Sequence, residues 1–435
     1  MKIIGFIVLT IFTLNITKIQ AQNIKLSIEE AFELALKNSQ KLKISRISEE
    51  LAEQKVEIAE LSRLPSVSAG LNYGYISNSQ IWTPGFGEHK TSEIPHHLTQ
   101  FSIQASQIIF KGGEINNTLA KVNLENQISV LNHNKNIVDI KFLVAAKYLD
   151  IFQLQNQLKI ITENIKLAME RLKNIRSLFR QGIVTNNDVL RTELQISDLD
   201  IAKRKISNDV VIINQQFNTL LGLEETIRLD PDETLIAKEY QYSAIESELM
   251  DALANNQDIA ISSKEISVAK RNLKIIGADR YPEIALFASN NFQRPYLNAL
   301  PALDIYSNVW QAGITIRYNI SSIYQSGRKI KAGKIQLSQV EEREVLLRQN
   351  LELEMREAYI KYGEALTNLK SYQSNIKSAD ENYRIVEKKY FNQLALLTDM
   401  IDASNTKLDA EIKMSNANIT VLYTYYKLLR IKGTL

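Results

Sequence analysis

No cysteine occurs among the 435 residues. Disulfides, thiolate metal sites and a lipoprotein anchor all need a thiol, so all three are excluded. Proline is scarce: the seven are Pro65, Pro84, Pro95, Pro231, Pro282, Pro295 and Pro301. They leave residues 96–230 and 302–435 without the residue that breaks a helical hydrogen-bond ladder. Glycine is also missing between Gly113 and Gly182. Charge of one sign is not in excess. The formal net charge is +3, and removing residues 1–21 takes away Lys2 and Lys18 and no acid, leaving +1. No polybasic surface follows from that balance, and no nucleic-acid partner is expected. Long apolar runs are limited to one, "IIGFIVLTIFTLNI" near the start, which Asn15 and Lys18 cut short of a bilayer-spanning helix. With a basic end before it and the small Ala21 after it, residues 1–21 read as a secretory signal peptide; a retained membrane anchor is the alternative. A secreted chain of this size with no later transmembrane helix is periplasmic, released, or in the outer membrane as a β-barrel.

What fills the proline-free stretches is a seam. Ile151, Leu154, Leu158, Ile161, Ile165, Ala168, Leu172, Ile175 and Phe179 alternate steps of three and four, the spacing of coiled-coil packing. Moved on by 211 positions, the same places hold Tyr362, Ala365, Leu369, Tyr372, Ile376, Ala379, Tyr383, Val386 and Tyr390, again all small, apolar or aromatic. "SLFRQGIVTNNDVLRTE" (177–193) and "KYFNQLALLTDMIDAS" (389–404) repeat a short break in the helix, with Asp188 and Asp399 at the same offset. "LPSVSAGLNYGY" answers to "YPEIALFASNNF", and "FKGGEINNTLAKV" to "YQSGRKIKAGKIQ". The chain therefore reads as an internal duplication: 22–222 and 244–435, joined by a linker at 223–243. The first unit predicts helix 27–63, strands near 66–77 and 99–110, helix 113–181 and helix 186–221. The second predicts helix 244–280, strands near 283–293 and 308–320, helix 327–391 and helix 398–432. A helix over 113–181 is about 100 Å long, and two shorter ones stacked end to end match it. Each unit is then a rod with strands at one end and a tip turn at the other.

The strands set the class. In "VSAGLNYGY" Val67, Ala69, Leu71, Tyr73 and Tyr75 share one face and Ser68, Gly70, Asn72 and Gly74 the other. "WQAGITIRY" alternates in the same way, with Trp310, Ala312, Ile314, Ile316 and Tyr318 opposite Gln311, Gly313, Thr315 and Arg317. An apolar face towards lipid and a polar one towards water over about ten residues is the pattern of a transmembrane barrel strand. Four strands cannot close a barrel, since closure takes about eight. The chain must borrow strands from copies of itself: two copies give eight and three give twelve, and twelve leaves a conducting lumen. The fold class expected is mainly α with a β portion: long antiparallel coiled-coil hairpins plus four strands per chain in a trimeric twelve-stranded outer-membrane barrel.

With "LSIEEAFELALKNS", "LPSVSAGLNYGY", "IIFKGGE", "RQGIVTNNDVL" and "LLTDMIDAS" in this order and spacing, the chain resembles the TolC-like outer-membrane efflux channel family over essentially its whole mature length. The resemblance implies a homotrimer with its barrel in outer-membrane lipid and a helical tunnel across the periplasm. It implies docking on a periplasmic adaptor and an inner-membrane transporter, for efflux or type I secretion. The two repeated turns would be periplasmic tips, with Gly182, Thr185, Asp188, Tyr390, Gln393 and Leu394 forming the gate and adaptor contact. Gly182 also suits the left-handed end of a helix, and Thr185 with Asp188 has capping-box spacing. Asp399 and Asp402 share a helix face and match the family positions whose carboxylates ring the narrowest point of the pore; helix-end complementation is the plainer reading of Asp399. Family members that lock their tips often carry an arginine where this chain has Ala395, so a resting lock has to rely on Tyr390 or on packing. Gln393 replaces a usual tip glycine, which predicts a second turn of different shape. The chain ends soon after Gly433, without the C-terminal extension of some relatives.

No catalytic chemistry is legible. His89, His96 and His97 fall in the loop 78–98, and with His133 they offer no metal-ligand spacing. Gly112-Gly113 lacks the lysine and spacing of a phosphate loop. No cofactor or metal is expected, and the chain reads as a non-enzyme. A periplasmic coiled-coil adaptor or scaffold without a pore is the alternative. It leaves unexplained the alternating strands, with Trp82 and Trp310 suited to membrane interfaces. A cell-envelope hydrolase is the third reading, and the missing catalytic set counts against it.

Overall fold

The computed structural model describes residues 23–232 and 243–435; the expected signal peptide lies outside these. The first half holds β1 (Asn23–Leu26), α1 (Ile28–Asn38), α2 (Gln40–Leu61), β2 (Ser66–Tyr75), β3 (Ser79–Trp82), β4 (His89–Ser92), β5 (His97–Lys111), α3 (Glu114–Arg180) and α4 (Asn186–Leu221). The second holds β6 (Arg228–Pro231), α5 (Ile245–Asn255), α6 (Gln257–Ala278), β7 (Glu283–Arg294), β8 (Ser307–Arg317), α7 (Ser322–Phe391) and α8 (Leu397–Lys432). Among the described residues no helix is long and apolar enough to cross a membrane.

Each stretch free of proline holds one unbroken long helix, α3 of 67 residues and α7 of 70, followed by a shorter one, α4 or α8. Near the sheet the helices lie side by side in the order α2-α3-α6-α7; in the far half the order is α4-α3-α8-α7. Most of the repeated seam is buried or half-buried between these helices; Phe179 is the exception and stays exposed near the turn. Two expected helices are each broken in two. The 27–63 stretch bends at Ser39 (ψ 121°) and the 244–280 stretch at Asn256 (ψ 126°). Extended backbone there ends one helix, and the Asn256 side chain accepts from the amides of Asp258 (2.8 Å) and Ile259 (3.4 Å) to start the next. Apolar periodicity runs through both breaks, which is why the sequence hid them.

The breaks sit at a waist that the sequence did not show. β1 and β6 pair in parallel, and Tyr148 Oη donates to the carbonyl of Leu26 (2.9 Å) and accepts from the amide of Asp232 (2.7 Å). Here Gly222 ends α4 at φ 70°, so close to Asn38 that an added Cβ would lie 2.5 Å from that residue's Cβ. Only glycine meets both the conformation and the approach. The expected linker 223–243 carries β6 and falls partly outside the described residues.

The sheet runs β2-β5-β7-β8, antiparallel throughout. Register puts Leu71 opposite Phe101 and Phe101 opposite Phe292, then Leu286 opposite Ile314, all on the expected lipid face. The other face pairs Asn72 with Gln100 and Ser289 with Gln311. β7 alternates poorly because Phe287 turns to the polar face, where its ring covers Gly313; a Cβ on Gly313 would sit 3.1 Å from it. The loop 78–98 contains a small hairpin, β3–β4. The outer edges of β2 and β8 have no partner within the sheet.

Candidate functional site

The two tip turns have one geometry. At the end of α3, Gly182 sits at φ 74°, its amide donates to Phe179 O (2.9 Å), and the Ile183 amide donates to Leu178 O (3.0 Å). At the end of α7, Gln393 sits at φ 64°, its amide donates to Tyr390 O (2.8 Å), and the Leu394 amide donates to Lys389 O (2.8 Å). This is the Schellman closure in both cases. The expectation of a differently shaped second turn is therefore corrected. Gln393 takes the left-handed conformation itself, because the two hydrogen bonds and the start of α8 require it.

The helices that leave the turns start alike. Asp188 Oδ2 accepts from the Thr185 amide (3.0 Å) and hydroxyl (3.1 Å), while Thr185 Oγ1 accepts from the Asp188 amide (3.4 Å). Asp399 Oδ2 accepts from the Leu396 amide (3.0 Å), but Leu396 has no side-chain oxygen to return the bond as Thr185 does, and only its carbonyl accepts from the Asp399 amide (3.2 Å). Asp399 thus serves as a helix-start acceptor. Asp402 makes no hydrogen bond or ion pair among the described residues. Met400 and Ala403 are buried while Asp399 and Asp402 are exposed, so both carboxylates leave the protomer on the side away from its core.

One apolar cluster holds both tips: Ile175, Val189, Tyr390, Leu397 and Met400. Tyr390 is thus brought to the first tip, but its hydroxyl is buried with no hydrogen-bond partner, and Asp188 is engaged with Thr185. Burial pushes the Tyr390 phenol up to about 12, and the Asp188 charge nearby adds to the shift. Leu394 and Leu396 project into solvent, and Ala395 offers no polar group.

Further up the same bundle lies a polar layer that the apolar seam gave no reason to expect. Arg171, 3% exposed, donates to Gln195 Oε1 (3.1 Å) on α4, Tyr383 Oη (3.0 Å) on α7 and Ser404 Oγ (3.1 Å) on α8. Tyr383 in turn donates to Glu387 (2.6 Å), and its phenol is raised, first by burial and then by that carboxylate. In sequence Arg171 is one of several charged residues between Glu170 and Arg180, and nothing there sets it apart or shows its reach to three other helices.

A family model described as outer membrane efflux protein matches residues 31–223 and 249–434. This chain belongs to the outer membrane efflux protein family. The outer membrane efflux protein BepC of Brucella suis is 22% identical over 405 residues, spanning 92% of this chain and 83% of that one. The outer membrane protein TolC of Salmonella enteritidis is 20% identical over 432 residues, spanning 96% and 83%. Among solved structures, VceC of Vibrio cholerae superposes with a TM-score of 0.78 at 12% identity, covering 93% of this chain and 96% of that one. The protein is an outer-membrane efflux channel whose helices extend into the periplasm. The pore-less scaffold finds no support in the fold or in these relatives, all of which are outer-membrane proteins by name.

Proposed function

We propose that three copies of this chain close a twelve-stranded barrel continuous with one helical tunnel. The chain then passes substrates outward without covalent chemistry. A single observation carries the reading: strand order β2-β5-β7-β8 and helix order α2-α3-α6-α7 run in step, so β2 and α2 lie on one free edge and β8 and α7 on the other. Joining unlike edges is a head-to-tail contact, which closes into a ring when the rotation allows. The duplicated units, 22–222 and 244–435, each supply half of the strands and one tip.

In this assembly the tips are the gate. Asp399 and Asp402, exposed on the same helix face, place six carboxylates at the constriction, where negative rings draw cations and repel anions. Gly182, Thr185, Asp188, Tyr390, Gln393 and Leu394 shape the closed end and meet a periplasmic adaptor, through which an inner-membrane transporter delivers substrate. With Ala395 at the arginine position, the closed state is held by the Tyr390 packing cluster and by the Arg171 layer between the hairpins. The test is conductance in planar bilayers: Asp399→Asn with Asp402→Asn should reduce cation preference, with Asp188→Asn changing opening frequency more than ion preference. An unchanged cation preference in the double variant would remove the aspartates from the gate.

A further inference from the structure

The two free edges of the protomer carry opposite charge at matching heights. On α7, Ile335, Leu346, Leu353 and Ile360 form an outward stripe, each more than half exposed; Ile44, Ile47, Leu51 and Ile58 do the same on α2. Between Asp304 and Glu341 there is no acidic residue, while Arg317, Arg328, Lys329, Lys331 and Lys334 all fall there. Arg317 is paired with Glu283 (3.3 Å) and Lys329 with Asp279 (2.7 Å). Arg328, Lys331 and Lys334 have no ion pair among the described residues. On α2, Glu53 and Glu57 are likewise unpaired, and Glu50 has only the exposed Arg46 at 3.6 Å.

Both helices meet the sheet within a few residues, α2 at its end and α7 at its start. At about 1.5 Å per residue, Lys331 and Glu53 lie about 13 Å and 12 Å from the sheet-side ends of their helices, Lys334 and Glu50 about 18 Å and 16 Å, and Glu57 about 6 Å. The chain directions are opposite. At about 100° per residue, Glu50, Glu53 and Glu57 occupy one flank of the α2 stripe, and Lys331 and Lys334 one flank of the α7 stripe. Turning the stripes face to face in antiparallel brings these two flanks to the same side. Lys55 falls on the other flank of α2.

We infer that Lys331 and Lys334 of one copy pair with Glu50, Glu53 and Glu57 of the next, so that a charge-matched seam sets which edges join and in what vertical register. This rests on the trimeric reading above. Apolar stripes alone allow like edges to meet or to slide by a turn; opposite charges along them favour one pairing and penalise the others. An anionic phospholipid surface would also attract these lysines. The opposite charge at the same height on the other free edge, and the apolar stripe that needs covering beside them, favour a second copy.

The test uses the full chain in a neutral detergent, with the trimer fraction measured by mass at 0.05 M to about 1 M NaCl, where the screening length falls to about 3 Å. Three variants decide it: Lys331→Glu with Lys334→Glu; Glu50→Lys with Glu53→Lys and Glu57→Lys; and all five together. Each partial reversal should raise the monomer fraction about tenfold at low salt, an effect that fades at high salt. The five-fold reversal, which restores opposite signs, should return the trimer to its wild-type level. Partial reversals that leave the trimer unchanged would overturn the seam, and loss of binding to phosphatidylglycerol vesicles by the lysine variant would then assign those lysines to lipid. Failure of the five-fold variant to recover, with helix content intact by circular dichroism, would also overturn it. A wild-type chain that is itself monomeric in every detergent would instead sink the trimeric reading on which the seam depends.

Discussion

Replacing Gln393 by glycine should stabilise the second tip. Gln393 is held at φ 64°, a conformation that costs an L-residue about 1–2 kcal/mol. Its side chain is exposed, with no hydrogen bond among the described residues to offset that cost. Glycine gives back part of the gain, about 0.5–1 kcal/mol, through its larger freedom in the unfolded chain. The net expectation is about 0.5–1 kcal/mol in favour of Gln393→Gly, or about two- to fivefold slower opening at 25 °C. The bond that reports it is the Leu394 amide to Lys389 O, 2.8 Å, which breaks when the turn opens. Hydrogen exchange on the detergent-solubilised channel, followed on peptides spanning 388–397, gives the readout. The mirror experiment is Gly182→Ala at the first tip, where a Cβ would meet nothing within 4 Å. Any loss there reflects backbone conformation alone, and exchange at Ile183 should speed up by a similar factor. If Gln393→Gly leaves exchange unchanged or faster while Gly182→Ala fails to speed it up, the turns are not left-handed in solution and the shared geometry is wrong.

The strand faces and the tip tyrosine give two further expectations. Leu71→Arg or Ile314→Arg puts a charge in lipid at a cost of about 2–4 kcal/mol near midplane, and should reduce insertion, whereas Asn72→Arg or Thr315→Arg faces water and should not; equal loss from both pairs, read by folding into vesicles, would invert the assigned faces. Tyr390→Phe removes a buried hydroxyl that has no partner, so the variant should be as stable as the wild type or up to about 1 kcal/mol more so. The Tyr390 phenol is raised from 10.0 to about 12, so its neutral form is favoured by folding: that contribution is complete below pH 10 and is lost as pH rises through about 12. Tyr390→Phe should remove this alkaline component from the pH dependence of tip exchange, and a strongly destabilised Phe variant would instead show that the hydroxyl makes a bond in solution.

Much of this molecule is determined locally and was therefore open to reading in one dimension. Absence of proline and a seam in steps of three and four dictate long helices, because hydrogen-bond ladders and apolar stripes are properties of neighbours along the chain. Alternation fixed the faces of β2 and β8 for the same reason, and Thr185 with Asp188 announced a cap that needs only four residues. Tertiary structure decided the rest. The break at Ser39 depends on the waist, where β1 and β6 meet from positions some 200 residues apart. The shape of the second tip was misjudged from residue type, since Gln393 adopts a glycine conformation only because the flanking helices over-determine it. Phe287 turns to the polar face because Gly313, on another strand, leaves room for its ring. Arg171 lies off the seam, next to Leu172, and nothing in the sequence marks it as buried; only the packing of four helices supplies the Gln195, Tyr383 and Ser404 oxygens that make its burial tolerable. Local rules act over a few residues and leave their mark in sequence, while contacts between distant segments leave none until the chain is folded.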